Sequence, residues 1–271
     1  MKQGLYGPHK FSGKSGVMDF IHQAGCIQYD PIDICGKNHE LVLQSRVSGF
    51  RKEHLFELLY KDRVLIDYYD KMMAIFPIED WPYFESTREY YRHHGKGIDD
   101  VNRAAGRILQ FIDEHGPVCS SDLEHDGTMI GYWGRPTSLS RIALENLYFR
   151  GELVIHHKKN TRKFYDLAHK HIPKELLSKQ NPNENQEQQN KWHLLRRIKS
   201  AGLLWNRRSD ALLGITSMKA AERNKAINAL MASGDIKELS VEGISSLFYY
   251  AIEDEELLQN TLCCYLISNR T

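Results

Sequence analysis

The chain has 271 residues, of which 41% are hydrophobic and 26% are charged, and its net charge is +1. This mixture is typical of folded globular proteins and excludes a fibrous or low-complexity chain. No apolar run approaches the roughly 20 residues that span a bilayer, and the N-terminus lacks a signal-peptide core. We therefore expect a cytoplasmic protein of two or three domains. The near-neutral net charge leaves nucleic-acid binding open, since local clustering of basic residues decides it.

Cysteine and histidine spacing argues against a metal site. The five cysteines form no CxxC pair; they are Cys26, Cys35, Cys119, Cys263 and Cys264. A secreted disulfide framework or a structural zinc site needs paired spacings that this chain lacks. The thirteen histidines form no HExxH motif. We expect no metal and no cofactor.

One short stretch places an amide and a carboxylate two positions apart inside an apolar run. In an extended segment, Gln28 and Asp30 share one face while Ile27 and Tyr29 point to the other. Pro31 favours the extended conformation, since the residue before proline is pushed out of the helical region. Two interpretations stay open: a reactive pair, or a structural pair in which Asp30 caps the following turn.

The first block reads as helices followed by short strands. We expect a turn at 12–16, a helix over 17–24 that ends at Gly25, helical segments at 37–47 and 52–60, and strands at 64–69 and 72–77. This order is typical of a winged helix-turn-helix domain, which we assign to residues 1–95. A polar, glycine-bearing break at 92–97 marks the predicted boundary.

The second block, 96–175, gives the clearest pattern. We predict a helix over 101–114, a helix start at 120–124, a helix over 137–150, and strands at 152–157 and 162–167. The two strands flank the basic turn Lys158-Lys159-Asn160-Thr161 and predict a β-hairpin. Three helices followed by a hairpin form the winged-helix plan.

The third block repeats this order. Residues 179–191 are polar throughout, which predicts a linker (176–191) or the solvated start of the next helix. A third domain, 192–271, then contains helices at 192–201 and 217–232, strands at 236–239 and 247–251, and an acidic helix at 253–258. Gly151–Val154 and Gly234–Lys237 occupy corresponding places, which indicates a repeated fold. The predicted class is mainly α with small β-hairpins (α+β), built from tandem winged helix-turn-helix domains.

Two basic clusters lie on elements that a winged helix would present to phosphates. Their residues are Lys158, Lys159, Arg162 and Lys163, and Arg196, Arg197, Arg207 and Arg208. Tandem winged helices favour DNA contact for these side chains. The alternative is that they form an ordinary solvated surface.

Several stretches together resemble one family, and they run over nearly the whole chain. They are Gln3-Gly4-Leu5, Gly25-Cys26-Ile27-Gln28-Tyr29-Asp30, Phe76-Pro77-Ile78-Glu79-Asp80, Gly131-Tyr132-Trp133 through Leu144-Glu145, Gly151-Glu152-Leu153-Val154, and Tyr165-Asp166-Leu167. In these the chain resembles the winged-helix DNA glycosylases of the AlkZ, AlkX and YcaQ group, which excise alkylated and crosslinked bases. The motif Gln28-x-Asp30 is similar to the Gln-x-Asp branch.

The resemblance implies a function. It implies a monofunctional DNA-repair glycosylase that hydrolyses the N-glycosidic bond of N7-alkylated guanine and of interstrand-crosslinked purines. Gln28 and Asp30 would be the catalytic residues. The implied partner is double-stranded DNA with alkylated or crosslinked bases, with no membrane partner, and we expect a monomer.

The chain departs from the family pattern at both ends. The early helix is short, and the sequence ends soon after the third block, where family members continue with further strands. We therefore expect a truncated form. Two other hypotheses remain: a winged-helix transcriptional regulator that binds DNA without chemistry, and an inactive fragment.

Overall fold

The computed structural model describes residues 2–260 except 6, 31, 71, 124–126, 133, 216 and 217. Helices in this part of the chain are α1 (Gly13–Ala24), α2 (Asn38–Gln44), α3 (Lys52–Tyr60), α4 (Glu85–His94), α5 (Ile98–His115), α6 (Leu139–Phe149), α7 (Lys174–Ser178), α8 (Gln186–Ala201) and α9 (Ala220–Ala232). Strands are β1 (Phe11–Ser12), β2 (Ile27–Gln28), β3 (Val47–Ser48), β4 (Leu65–Tyr69), β5 (Met73–Pro77), β6 (Thr128–Ile130), β7 (Pro136–Ser138), β8 (Leu153–Lys159), β9 (Arg162–Leu167), β10 (Leu204–Trp205), β11 (Ile236–Val241) and β12 (Ile244–Ala251). The predicted α+β class is confirmed. Among the described residues, no helix combines the length and apolar character needed to cross a bilayer.

The chain divides into two compact units, each assembled from separated segments. Unit 1 comprises Met1–Leu55, Tyr69–Pro77 and Asn183–Thr271, and unit 2 comprises Phe56–Tyr68 and Ile78–Pro182. Two of the boundaries between the units lie inside secondary-structure elements, one in α3 and one in β4. The division into three sequential domains stays a prediction.

In unit 1, α1 packs beside two small strand pairs. β1 pairs in parallel with β3, and β2 pairs antiparallel with β5. The helix buries Val17, Phe20, Ile21 and Ala24, as its apolar spacing predicts, and it ends at Gly25. It begins at Gly13, so the predicted turn at 12–16 is wrong. Gly16 is buried in the helix, where a Cβ atom would lie 2.8 Å from the backbone of Phe11. This glycine serves close packing rather than a turn.

The C-terminal part of unit 1 surrounds α8. β11 and β12 form the predicted hairpin, and β10 adds to its second strand through the register pair Leu204–Tyr249. Leu194, Ile198, Ala226, Ile227, Leu230, Ile236 and Ala251 are among the residues that form the buried core here. The helix α8 begins at Gln186, inside the polar stretch, because the Asn185 side chain accepts the Gln188 N–H at 3.0 Å and caps it. From Gln186 onward the stretch is therefore a helix start and not a linker.

Unit 2 contains the other hairpin, β8–β9. It follows α6 directly and turns at Asn160, whose φ of 58° lies in the left-handed region that asparagine tolerates. Val118, after α5, exchanges two backbone hydrogen bonds with Tyr165 of β9, at 2.9 and 2.7 Å. The order of helix, short extended segment, helix and hairpin therefore occurs in unit 2 and again in unit 1.

The helix predicted to start at 120–124 is wrong within the described residues. Asp122 accepts the Cys119 N–H at 2.8 Å through its carboxylate and donates its own N–H to the Cys119 carbonyl at 3.0 Å. The carboxylate therefore closes a turn with Cys119, three positions earlier, instead of capping a following helix. The chain continues into the hairpin β6–β7 before α6. A cavity of about 210 Å³, mostly apolar, lies here, lined in part by Ile108, Leu123 and Ala143.

The two helix-to-hairpin junctions are built alike. Gly151 after α6 and Gly234 after α9 have φ of 80° and 77°, a backbone that favours glycine. The next residue, Glu152 or Asp235, donates its N–H to the carbonyl five positions earlier, at 3.0 Å in both cases. This is the Schellman ending of a helix. The repeated Gly-x-Leu/Ile pattern therefore reflects a repeated structure.

Candidate active site

A two-residue strand sets the directions of Gln28 and Asp30. Gln28 lies opposite Ala74 in the antiparallel pair β2–β5, and Tyr29 continues the ladder by donating its N–H to the Met73 carbonyl at 2.7 Å. Ile27 and Tyr29 are buried, whereas Gln28 and Asp30 are partly exposed. This alternation is the one that the sequence predicts. The amide and the carboxylate therefore share the accessible face of unit 1.

The Asp30 carboxylate is held by the loop that follows it. Its Oδ1 atom accepts the Ile32 N–H at 2.9 Å, which is the turn-capping bond of an aspartate before a loop. Within the described part of the chain, Oδ2 and the Gln28 amide form no protein hydrogen bond. One bond thus fixes the carboxylate and leaves one oxygen for another molecule, so the structural and the reactive interpretations are compatible.

On the inner face, Tyr29 stacks on His39 from α2. The ring centroids are 4.7 Å apart with an interplanar angle of 26°. Both residues are buried, with 9% and 5% of their surface exposed. The inward direction of Tyr29 is as predicted, whereas no pattern in the sequence points to His39 as its partner. The stack fixes the residue between Gln28 and Asp30, and with it their common orientation.

A buried ion cluster holds the residues that lead into β2. Asp70 forms ion pairs with Arg196 and Arg197 of α8 through different carboxylate oxygens. Arg196 also donates to the Gly25 carbonyl at 2.5 Å, and Arg197 lies 3.5 Å from the Cys26 thiol. Because a buried charge is costly without a partner, these contacts fix the position of the chain just before Ile27.

Protonation in this cluster follows from burial. Burial alone would raise the pKa of Asp70, but Arg196 and Arg197 outweigh it and hold that pKa well below its usual range. Burial and the Asp70 charge raise the pKa of the Cys26 thiol to about 11. Burial lowers the pKa of His193 to about 4. At neutral pH the thiol and the imidazole are uncharged. The negative charge of Asp70 therefore stabilises the two guanidinium groups.

A family profile described as DNA glycosylase AlkZ-like matches residues 21–261. The chain belongs to the AlkZ-like DNA glycosylase family. A solved structure, the Streptomyces sahachiroi DNA glycosylase AlkZ, is similar in fold, with a TM-score of 0.59. The match has 13% sequence identity and covers 95% of this chain and 69% of that one. Membership in this family makes the chain a DNA glycosylase that binds DNA.

In this AlkZ-like chain, the basic residues of the unit 2 hairpin lie in two environments. Lys158 forms an ion pair with Asp67 at 2.7 Å, and its side chain is only 10% exposed. Lys163 lies 5.7 Å from the Tyr148 ring centroid, and burial lowers its pKa. By contrast, Lys159 and Arg162 at the turn are exposed.

The basic residues of unit 1 divide in the same way. Arg196 and Arg197 are buried, at 9% and 4% exposure, in the Asp70 cluster. Arg207 and Arg208 are exposed, and the Arg207 guanidinium lies over the Trp205 ring at 5.4 Å. The exposed residues face solvent, as phosphate contacts require, and the buried ones already bind acids of the protein.

Among the described residues, one trio comes close to a metal-ligand arrangement. Donor atoms of His156, Asp166 and His171 lie within 4.8 Å of one another. The ring nitrogens also have protein contacts: His171 binds Asp166 at 2.7 Å, and Nδ1 of His156 lies 2.8 Å from Nδ1 of His157. Burial and the Arg63 charge lower the pKa of His156. The trio joins β9 to the turn that follows it.

Proposed function

We propose that this chain hydrolyses the N-glycosidic bond of N7-alkylated guanine and of interstrand-crosslinked purines in duplex DNA. One observation carries the proposal: Gln28, at the end of β2, and Asp30, two positions later, are both accessible, and the Ile32 N–H holds the carboxylate. The family membership supplies the reaction class. The Gln-x-Asp motif supplies the choice of lesion, by its similarity to that branch of the family.

Hydrolysis of this bond requires a carboxylate and a group that positions water, and Asp30 and Gln28 can supply both. Alkylation at N7 makes the purine cationic, so the C1′–N9 bond breaks with its electron pair moving to the base, which leaves neutral. The Asp30 carboxylate stabilises the positive charge that develops on the sugar. It then accepts a proton as water forms the new C1′–O bond. The Gln28 amide, with a donor and an acceptor, holds that water in line.

The proposed enzyme is monofunctional. Water is the nucleophile, so the reaction requires no amine of the protein and forms no covalent intermediate. The product is an abasic site in an intact strand. The reaction requires neither a metal nor another cofactor.

Tandem winged helix-turn-helix domains would present the DNA to this site. The repeated order of helix, short extended segment, helix and hairpin in the two units supports this architecture. The exposed residues Lys159, Arg162, Arg207 and Arg208 are the proposed phosphate contacts. For Lys158, Lys163, Arg196 and Arg197, the contacts support a structural role instead.

Excision from defined duplexes tests the proposal. Purified protein is incubated with a duplex containing N7-methylguanine or a nitrogen-mustard crosslink, and alkali-labile abasic sites are counted. Asp30→Asn and Gln28→Ala should lose most of the activity, on the order of a hundredfold or more. Asp19→Asn is the matched control, an exposed aspartate on α1 of unit 1. Undiminished excision by Asp30→Asn would remove the assigned role. Sequence-specific binding of undamaged DNA with no abasic product from wild type would support a transcriptional regulator.

A further inference from the structure

The loop that follows Asp30 projects two isoleucines into solvent. Ile32 is 63% exposed and Ile34 is 92% exposed, the highest exposure among the large apolar side chains of the described residues. A single exposed apolar residue is ordinary. Here two of them belong to the loop that binds the candidate catalytic carboxylate, and the stability of unit 1 gains nothing from a side chain as exposed as Ile34.

The loop is a built structure. An antiparallel bridge joins Asp33 to Lys37 and closes it. Gly36, at φ of 128°, lies where a Cβ atom would come within 2.9 Å of the Leu41 side chain. The loop therefore packs closely against α2 and ends in an apolar tip formed by Ile34.

The loop is also joined to the candidate chemistry. The Ile32 N–H that binds Asp30 Oδ1 belongs to the loop itself. The tip residue Ile34 follows two positions after the residue that binds the carboxylate. Continuity with the candidate site identifies the occupant, since the substrate of a DNA glycosylase is the nucleotide whose sugar must reach that carboxylate.

We propose that Ile34 is a wedge that enters the base stack of duplex DNA beside the target nucleotide, with Ile32 supporting it. Apolar side chains, isoleucine among them, insert between base steps and unstack them. Removing a base from the stack leaves a gap of apolar faces that Ile34 can fill. The carboxylate of Asp30, held by the same loop, would then be placed against the exposed sugar. This inference rests on the proposed function, which it deepens by assigning a residue to lesion access.

The test separates unstacking from bond cleavage. Excision of N7-methylguanine is measured in a fully paired duplex and in a duplex where the lesion lies opposite an abasic site, so that the stack is already broken. Ile34→Ser should slow excision from the paired duplex about tenfold or more, and change the second substrate by less than about twofold. Ile252→Ser, a substitution of an isoleucine that is 40% exposed elsewhere in unit 1, is the matched control. Equal melting temperatures exclude a folding defect.

A second readout does not depend on activity. A 2-aminopurine placed next to the lesion should gain fluorescence when wild type binds, because its stacking is lost, and the gain should disappear with Ile34→Ser. The wedge is overturned if Ile34→Ser behaves as wild type in both readouts, as it would if the tip served a protein partner. Equal slowing on both duplexes with an unchanged fluorescence gain also overturns it. If wild type raises the fluorescence, Ile34→Ser does not, and wild type forms no abasic site, the proposed function fails and the wedge stands.

Discussion

Arg196 donates a hydrogen bond to the carbonyl of Gly25, a residue 171 positions earlier in the chain. The other terminal nitrogen of its guanidinium group binds Asp70, which also binds Arg197. Three distant segments of unit 1 thus meet around one acid. The position of the residues that lead into Gln28 and Asp30 therefore depends on ion pairs buried inside unit 1.

The first prediction concerns the ion pairs of Asp70. Asp70→Asn leaves two buried guanidinium groups without their acid, so we expect the free energy of unfolding of unit 1 to fall by about 3–5 kcal/mol. Denaturant titration, monitored by tryptophan fluorescence, measures this free energy of unfolding. The control is Asp113→Asn, which breaks the surface pair with Lys170 at 2.8 Å and should change the stability little, because solvent screens an exposed pair. Equal effects of the two substitutions would contradict the structural role of the cluster.

A second prediction concerns acid. The pKa of His193 is lowered to about 4 in the folded chain, whereas an unfolded histidine titrates near 6.5. Between these values the unfolded state binds more protons, so stability is retained above pH ~6.5 and falls as pH decreases toward ~4. His193→Gln should reduce this loss. Unfolding free energies measured at pH 7, 6, 5 and 4.5 check it, and identical slopes for both proteins would refute it.

The Tyr29–His39 stack gives a third prediction. His39→Ala removes the ring under Tyr29 and should lower the excision rate by about tenfold, because small displacements of catalytic groups are costly. His39→Phe keeps a flat ring in the same place and should restore most of the rate. Kinetics at saturating DNA, with a melting curve for each variant, separate misplacement from unfolding. A Phe variant as slow as the Ala variant would mean that the ring acts otherwise.

Neighbouring lysines on one hairpin give a fourth prediction. Lys159→Gln should weaken binding to all duplexes alike and reduce the slope of log affinity against log salt by about 1. Lys158→Gln should instead lower stability, because it leaves Asp67 without its cation, and change the salt slope little. Fluorescence anisotropy at several salt concentrations measures both. The exposed Lys179, in the polar stretch before α8, supplies the control Lys179→Gln. Reversed behaviour of Lys158 and Lys159 would contradict the placement.

Local patterns predicted the local structure. The alternation of Ile27, Gln28, Tyr29 and Asp30 fixed which side chains are accessible, because side-chain direction in a strand depends on position alone. The two hairpins were predictable for the same reason. In both cases the decisive interactions join residues that are close in sequence.

Long-range partners were not predictable from a single sequence. Arg196 and Arg197 have the pattern of a solvated basic cluster, and nothing near them in the chain indicates that Asp70 lies against them. The helix start predicted at 120–124 was wrong for a related reason, since a carboxylate can accept an N–H from either direction along the chain. The spacing of residues in a sequence identifies a charged side chain but does not identify the residue that it binds.

The discontinuity of unit 1 has a consequence for protein synthesis. Arg196 and Arg197, which complete the cluster at Gly25 and Cys26, are translated about 170 residues after Gln28 and Asp30. Until then Asp70 lacks both of its guanidinium partners. A nascent chain arrested before α8 would carry the whole Gln-x-Asp motif and still lack its support. The candidate catalytic pair can therefore mature only after α8 has been synthesised.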